Sequence, residues 1–276
     1  MEKILLLINA RNPHLGSIDF ACQMAALAGT RVTGLFVENV YYGYVPPGGM
    51  DNPGYFAAVA EAQAVAVTTD TEQAVRLFKE KCERAKIESQ VVIDSGDPMQ
   101  QVIFESRFAD LLILDPMISF YGREEALPSH FIKEILLKSE CPVLLAPYQF
   151  DQIDELLFCY DGSASSVFAI KQFTYLFPEL KEKKVMLLEV KNTSAEAFSE
   201  KDKRMMDWLR THYRSAYYHS LNGDVDEVLF TFLFMKRNIF VVMGAYGRPL
   251  ISQLFKKSAA DVLIRNIDLP LFITHH

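Results

Sequence analysis

Short apolar runs alternate along this chain with longer stretches in which apolar residues recur at helical spacing. The runs fall at residues 3–8, 31–37, 89–93, 111–114 and 143–146, then at 156–160, 185–190, 216–221, 239–243 and 271–274. Most are nearly continuous in leucine, isoleucine, valine and phenylalanine rather than alternating, as strands buried on both faces are. Between them, Val228, Leu229, Phe232 and Met235 recur on one helical face, which reads as core packing and not as a cofactor-binding stripe. Asp97-Pro98 has the form of a helix start, an aspartate N-cap followed by a proline at the first helical position. Such strands joined by helices predict an α/β protein with a parallel sheet covered on both faces.

The same order of elements occurs twice. Residues 109–114 align with 237–242, and 135–145 with 263–273, both at an offset of 128. Gly96-Asp97 and Gly223-Asp224 correspond at 127, whereas the opening strands, ending in Asn9 and Asp161, correspond at 152. The difference of 24 residues between 152 and 128 is an insertion in the first copy at about 41–64, where Tyr41-Tyr42-Gly43-Tyr44-Val45-Pro46-Pro47-Gly48-Gly49 interrupts any regular pattern. The pattern predicts two tandem doubly wound, Rossmann-like units, 1–149 and 150–276, each a five-stranded mostly parallel sheet flanked by helices.

Composition narrows the classes of function. Of the 276 residues, 50% are hydrophobic and 23% charged, which is enough apolar material for two cores. A net charge of −7, with no block of like charges, speaks against a nucleic-acid-binding surface. The most apolar stretch, 228–243, is interrupted by Lys236-Arg237-Asn238 and falls short of the ~20 apolar residues that cross a bilayer. The chain opens on a strand-like run without the basic and apolar regions of a signal peptide, so a soluble cytoplasmic protein is expected. Cys22, Cys82, Cys141 and Cys159 show neither CxxC nor cysteine–histidine spacing, so they are expected to fill core positions and no metal site is expected.

In an open parallel sheet, ligands collect at the carboxyl ends of the strands where the strand order reverses. Two segments of the second copy follow strands and suit such a place. In Asp161-Gly162-Ser163-Ala164-Ser165-Ser166, the aspartate can accept hydrogen bonds from a ligand and Gly162 permits close backbone approach. The same residues equally suit an ordinary helix cap. In Gly244-Ala245-Tyr246-Gly247-Arg248-Pro249, the two glycines allow backbone N–H groups to approach phosphate oxygens, although an ordinary turn would look the same. Further on, Ser258-Ala259-Ala260-Asp261 has the capping-box form, which would open a helix at Ser258, and Arg248, Lys256 and Lys257 add positive charge.

Together these segments resemble the universal stress protein family in its tandem form, over essentially the whole chain. The resemblance rests on the aspartate after the first strand, the Gly-Asp pair before the third helix, and the family's ATP-binding signature. That signature is glycine, two residues, glycine, nine residues, then glycine followed by a hydroxyl residue. Gly244 and Gly247 fill its first two places, residues 248–256 follow, Lys257 stands where the third glycine is expected, and Ser258 supplies the hydroxyl. The resemblance implies an adenine nucleotide α-hydrolase-like fold and a stress-response protein. It also implies ATP or AMP held by Asp161, Gly162, Ser163, Gly244, Gly247, Lys257 and Ser258. Lys257 restores a Cβ and restricts φ, which leaves a monophosphate or another anion open beside ATP. Pairing of units through their closing strands is implied as well, internal in a tandem chain at 143–146 and 271–274, with a homodimer as the alternative.

The first copy departs further. The 128 offset places Pro116, Ser119, Ser129 and His130 where the second copy has Gly244, Gly247, Lys257 and Ser258, and Asn9 stands in place of Asp161. Asp115 adds negative charge where a phosphate would sit, so this copy reads as a degenerate site and a structural partner, with His14 and His130 as surface or cap histidines. Three functions stay open: a nucleotide-binding sensor, a pseudo-dimeric interaction scaffold without nucleotide, and a slow ATPase. No base–nucleophile pair or carboxylate dyad stands at motif spacing, so a non-catalytic binding protein is expected.

Overall fold

All ten expected strands form, and they lie in a single sheet. The structure is a computed structural model that describes residues 1–38, 53–120, 128–191, 198–234, 236–244 and 268–274. The first half runs β1 (Lys3–Ile8), α1 (Leu15–Ala28), β2 (Arg31–Glu38), α2 (Pro53–Ala85), β3 (Ser89–Ser95), α3 (Pro98–Ser106), β4 (Leu111–Leu114), α4 (His130–Lys138) and β5 (Val143–Leu145). The second runs β6 (Glu155–Tyr160), α5 (Ala164–Leu176), β7 (Lys184–Lys191), α6 (Glu200–His212), β8 (Ser215–Asn222), α7 (Val225–Phe234), β9 (Ile239–Gly244) and β10 (Leu271–Thr274).

Strand order across the sheet is β3-β2-β1-β4-β5-β10-β9-β6-β7-β8. Pairing is parallel within each half, and one antiparallel seam joins β5 to β10. The seam pairs Leu145 with Leu271, Leu144 with Phe272, and Val143 with Ile273. Leu144 and Phe272 are equivalent positions of the repeat, so a pseudo-two-fold axis passes between them. In each half the order reverses beside the first strand, between β1 and β4 and between β6 and β9.

Alternate residues of the strands feed two cores, one on each face, because successive side chains of a strand point to opposite sides. Ile4, Leu6 and Ile8 pack with Phe20, Phe78, Phe158, Phe173 and Phe272 on the face covered by α1, α2, α5 and α6. Leu5 and Leu7 pack with Val102, Ile132, Ile135, Leu229 and Leu233 on the face covered by α3, α4 and α7. All four cysteines are free and buried, as core filling requires, and burial pushes the Cys141 and Cys159 thiols up to about 12. Among the described residues no helix is long and apolar enough to cross a membrane.

The two Gly-Asp pairs are helix starts. Asp97 Oδ1 accepts from the backbone N–H groups of Met99 (2.8 Å) and Gln100 (3.1 Å), with Pro98 in the first turn of α3. Asp224 Oδ1 accepts from the Glu227 N–H at 3.2 Å in the matching place before α7. The expected insertion is less irregular than its first residues suggest. Residues 41–52 lie outside the described residues, but 53–64 belong to the 33-residue helix α2, which opens on Pro53, a residue that suits a first helical position. Met235 and the helix expected to open at Ser258 also lie outside the described residues.

Candidate functional site

Asp161 follows β6 directly, and Gly244 ends the neighbouring strand β9, so both stand at the carboxyl ends of the strands where the order of the second half reverses. Asp161 is exposed, and its Oδ1 accepts from the Ser163 N–H at 2.9 Å, which closes the turn into α5. Gly162 sits in that turn with φ +73°, a conformation that costs glycine little. Ser163 is the N-cap of α5, its hydroxyl accepting from the Ser166 N–H at 3.2 Å. The helix-cap reading of this segment is therefore present in the structure. A Cβ on Gly244 would stand 2.6 Å from the carbonyl carbon and oxygen of Ser165, so close packing of β9 on α5 requires a glycine there. Gly247, Arg248, Lys256, Lys257 and Ser258 lie outside the described residues.

Residues that sequence patterns did not single out surround the Asp161 turn. A Cβ on Gly162 would lie 3.8 Å from Lys201 Cδ and 3.9 Å from the Tyr160 hydroxyl. Deeper, at the end of β7, Lys191 Nζ lies 3.3 Å from Glu189 Oε2 and 3.7 Å from Asp202 Oδ2, and the hydroxyl of Tyr218 in β8 donates to Glu189. Burial pushes the Tyr160 hydroxyl up to about 12, with the Asp202 and Glu189 carboxylates adding to the effect. Burial pulls the Lys191 ammonium down, but its bonds to Tyr218 and Glu189 prevail and hold it at about 12. These residues come from three strands and a helix, so no local spacing announces them.

At the corresponding place in the first half there is a cavity of about 210 Å³, lined by apolar residues of β1 and by Asn9, Asn12, His14, Ser17, Asp115 and Ser119. Asn9 Nδ2 donates to the Ser119 carbonyl at 3.0 Å, and Asn9 Oδ1 accepts from the Arg11 N–H at 3.1 Å. His14 is the N-cap of α1, its Nδ1 accepting from the Ser17 N–H at 3.2 Å and lying 2.7 Å from the Ser17 hydroxyl. Asp115 Oδ1 accepts from the Met117 N–H at 2.9 Å, and Oδ2 stands 4.0 Å from His14 Nδ1. Burial pushes the Asp115 carboxyl above its ordinary value, against the Met117 hydrogen bond and the nearby imidazole. Ser129, matched by offset with Lys257, is in fact the hydroxyl cap that opens α4. It accepts from the Ile132 N–H at 3.2 Å and donates to the Ile118 carbonyl at 3.0 Å, so the first half does keep a hydroxyl at this helix start. His130 is the exposed first residue of that helix.

Among the described residues no group of three or more histidine, cysteine or acidic side chains could hold a metal ion. No family model and no curated protein matches the sequence. The fold does have solved relatives. A universal stress protein from Archaeoglobus fulgidus DSM 4304 matches 99% of this chain and 98% of its own at 15% identity, with a TM-score of 0.69. A universal stress protein candidate from Pseudomonas aeruginosa UCBPP-PA14 matches 100% of this chain and 93% of its own at 13% identity, with a TM-score of 0.58. A functionally unknown protein from Pseudomonas aeruginosa PAO1 matches 100% and 92% at 13% identity, with a TM-score of 0.56. The whole-length match to the first of these shows that the ten-stranded arrangement, both halves included, is a universal stress protein fold.

Proposed function

We propose that this chain is a stress-response regulatory protein of the universal stress protein kind, binding one adenine nucleotide through its second half and acting in the cytoplasm. In this reading residues 1–149 and 150–276 are the two units, and only the second retains a nucleotide site. The observation that carries it is the placement of Asp161 and Gly244 on adjacent strand ends at the point where strand order reverses, the place where this sheet architecture collects ligands. Asp161, Gly162 and Ser163 would face the ribose or base, while Gly247, Lys257 and Ser258 would meet the phosphates, with Lys201 a further cation beside the turn. No catalytic base is assigned, so turnover of ATP should be negligible. Phosphate release by the purified protein, with a Gly247→Val variant as contamination control, tests this; a brisk rate abolished by that substitution counts against it.

The binding claim is tested by calorimetric titration with AMP, ADP and ATP. One nucleotide per chain is expected. Gly247→Val should block it by placing a branched side chain in the phosphate path, and Ser119→Val in the first half should leave it unchanged. Lys257→Gly raises affinity if the lysine only obstructs and lowers it if the ammonium pairs with phosphate. Two sites per chain, or binding retained in Gly247→Val, would overturn the assignment. A second reading, an interaction scaffold that binds no nucleotide, is favoured by one observation: Asp161 and Ser163 already serve as turn and cap of α5. Absence of heat with all three nucleotides selects it.

A further inference from the structure

The first-half cavity has a charge character opposite to that of a phosphate site. Among the described residues no lysine or arginine lines it, and the ionisable groups in its wall are Asp115 and His14. The imidazole is already engaged at the start of α1: its Nδ1 accepts the Ser17 N–H at 3.2 Å and lies 2.7 Å from the Ser17 hydroxyl. Asp115 thus faces a polar cavity with one oxygen tied to the Met117 N–H and the other 4.0 Å from a ring nitrogen already engaged. An asparagine could accept the Met117 bond equally well without placing a desolvated charge there. A part-buried carboxylate facing a polar cavity marks a candidate functional site.

We infer that this cavity binds a small ligand carrying an ammonium group, with the Asp115 carboxylate as its counter-charge. An ammonium supplies donors and positive charge where the wall offers a carboxylate, and a charge-assisted hydrogen bond of this kind is among the stronger ones. A phosphate is repelled by the same carboxylate. At about 210 Å³ the cavity is also smaller than the roughly 300–1,000 Å³ that enclose drug-sized ligands. A short alkyl amine or diamine fits the volume. This inference stands independently of the nucleotide reading, because it uses no residue of the second half.

The test is heteronuclear NMR of the full chain without nucleotide, following the side-chain amide signals of Asn9 and Asn12. The probes are ethanolamine and 1,4-diaminobutane as hydrochlorides, with 1,4-butanediol and inorganic phosphate as controls. Saturable shifts with at least one amine, absent with the diol and with phosphate, are expected. Asp115→Asn should weaken the response roughly 10- to 100-fold. Met117→Lys, at an exposed position of the cavity wall, should compete through its own tethered ammonium. Three results overturn the inference: no saturable shift with either amine, equal response to the diol, or undiminished response in Asp115→Asn. None of them bears on whether the second half binds a nucleotide.

Discussion

Gly244 lies so close to Ser165 that a β-carbon on the glycine would stand 2.6 Å from the serine's carbonyl carbon and oxygen. The obstructing atoms are backbone atoms in the first turn of α5, which cannot rotate away as a side-chain tip could. Gly244→Ala should therefore destabilise the fold by about 1–3 kcal/mol, the usual cost of overpacking, whether or not any ligand is present. Urea unfolding of the ligand-free protein measures this, and an unchanged midpoint would show that β9 and α5 can separate. The consequence for the nucleotide site is practical. Loss of binding in a Gly244 variant would report on packing, so Gly247 is the position at which phosphate approach has to be tested.

Asp115 sets a pH dependence of known sign. Burial raises its folded-state pKa above the unfolded value, so the folded chain holds this proton more tightly than the unfolded chain does. Ionisation then subtracts from stability as pH rises through the two values, and the full penalty is present above the folded one. Asp115→Asn keeps an oxygen for the Met117 N–H and removes that penalty. The variant should be the more stable protein at pH 7, with its advantage disappearing below about pH 4, the range of an unfolded aspartate. Denaturant midpoints from pH 3.5 to 7.5 check this; a parent protein more stable than the variant at pH 7 would contradict it.

The strands were legible because they are buried on both faces. Leu5, Leu6 and Leu7 feed opposite cores in turn, and only an uninterrupted apolar run can do that. The repeat was legible for the same reason, down to the self-pairing of Leu144 with Phe272. The places of Asp161, directly after β6, and of Gly244, at the end of β9, could also be read. What sequence could not supply was the reason for each residue: Gly244 leaves room for the Ser165 backbone, and Ser163 caps α5. The first-half cavity is not legible in sequence because His14 and Asp115 are separated by 101 positions and meet through the β1–β4 pairing. In sequence Asp115 shows only as a charge hostile to phosphate, and Lys191 and Lys201 belong to no local pattern at all.

Lys191 is 6% exposed and stands between two carboxylates, Glu189 and Asp202. Asp202 also closes the capping box with Ser199 that opens α6. Lys191→Met would remove the cation that both carboxylates share, and removing one member of such a buried group typically costs about 3–5 kcal/mol. Lys191→Arg keeps the charge and should recover most of the loss. Chemical denaturation of the two variants tests the network; a Lys191→Met protein as stable as the parent would show that solvent or another group already balances the charges.

The seam between β5 and β10 joins the two halves within the sheet. It is short, three residue pairs, but Phe272 is fully buried and packs edge-on against Phe173 with ring centroids 5.3 Å apart, while Ile273 enters the opposite core. The Gln149 N–H adds a bond across the halves to Asp268 at 3.0 Å. Removing the first half would leave the seam-side edge of β10 unpaired, and an unpaired apolar edge is a template for another strand. Because the seam is pseudo-symmetric about Leu144 and Phe272, a second copy of the fragment can take the place of β5, with Phe272 opposite its own equivalent. Residues 150–276 expressed alone should therefore form a two-fold dimer, or aggregate, through that edge. In the full chain, Phe272→Ala should cost about 3–5 kcal/mol, the usual range for truncating a buried phenylalanine. Sedimentation velocity over a range of fragment concentrations decides the matter. A strictly monomeric, soluble fragment would mean that the second half protects its own edge and that the seam is not what keeps it from pairing.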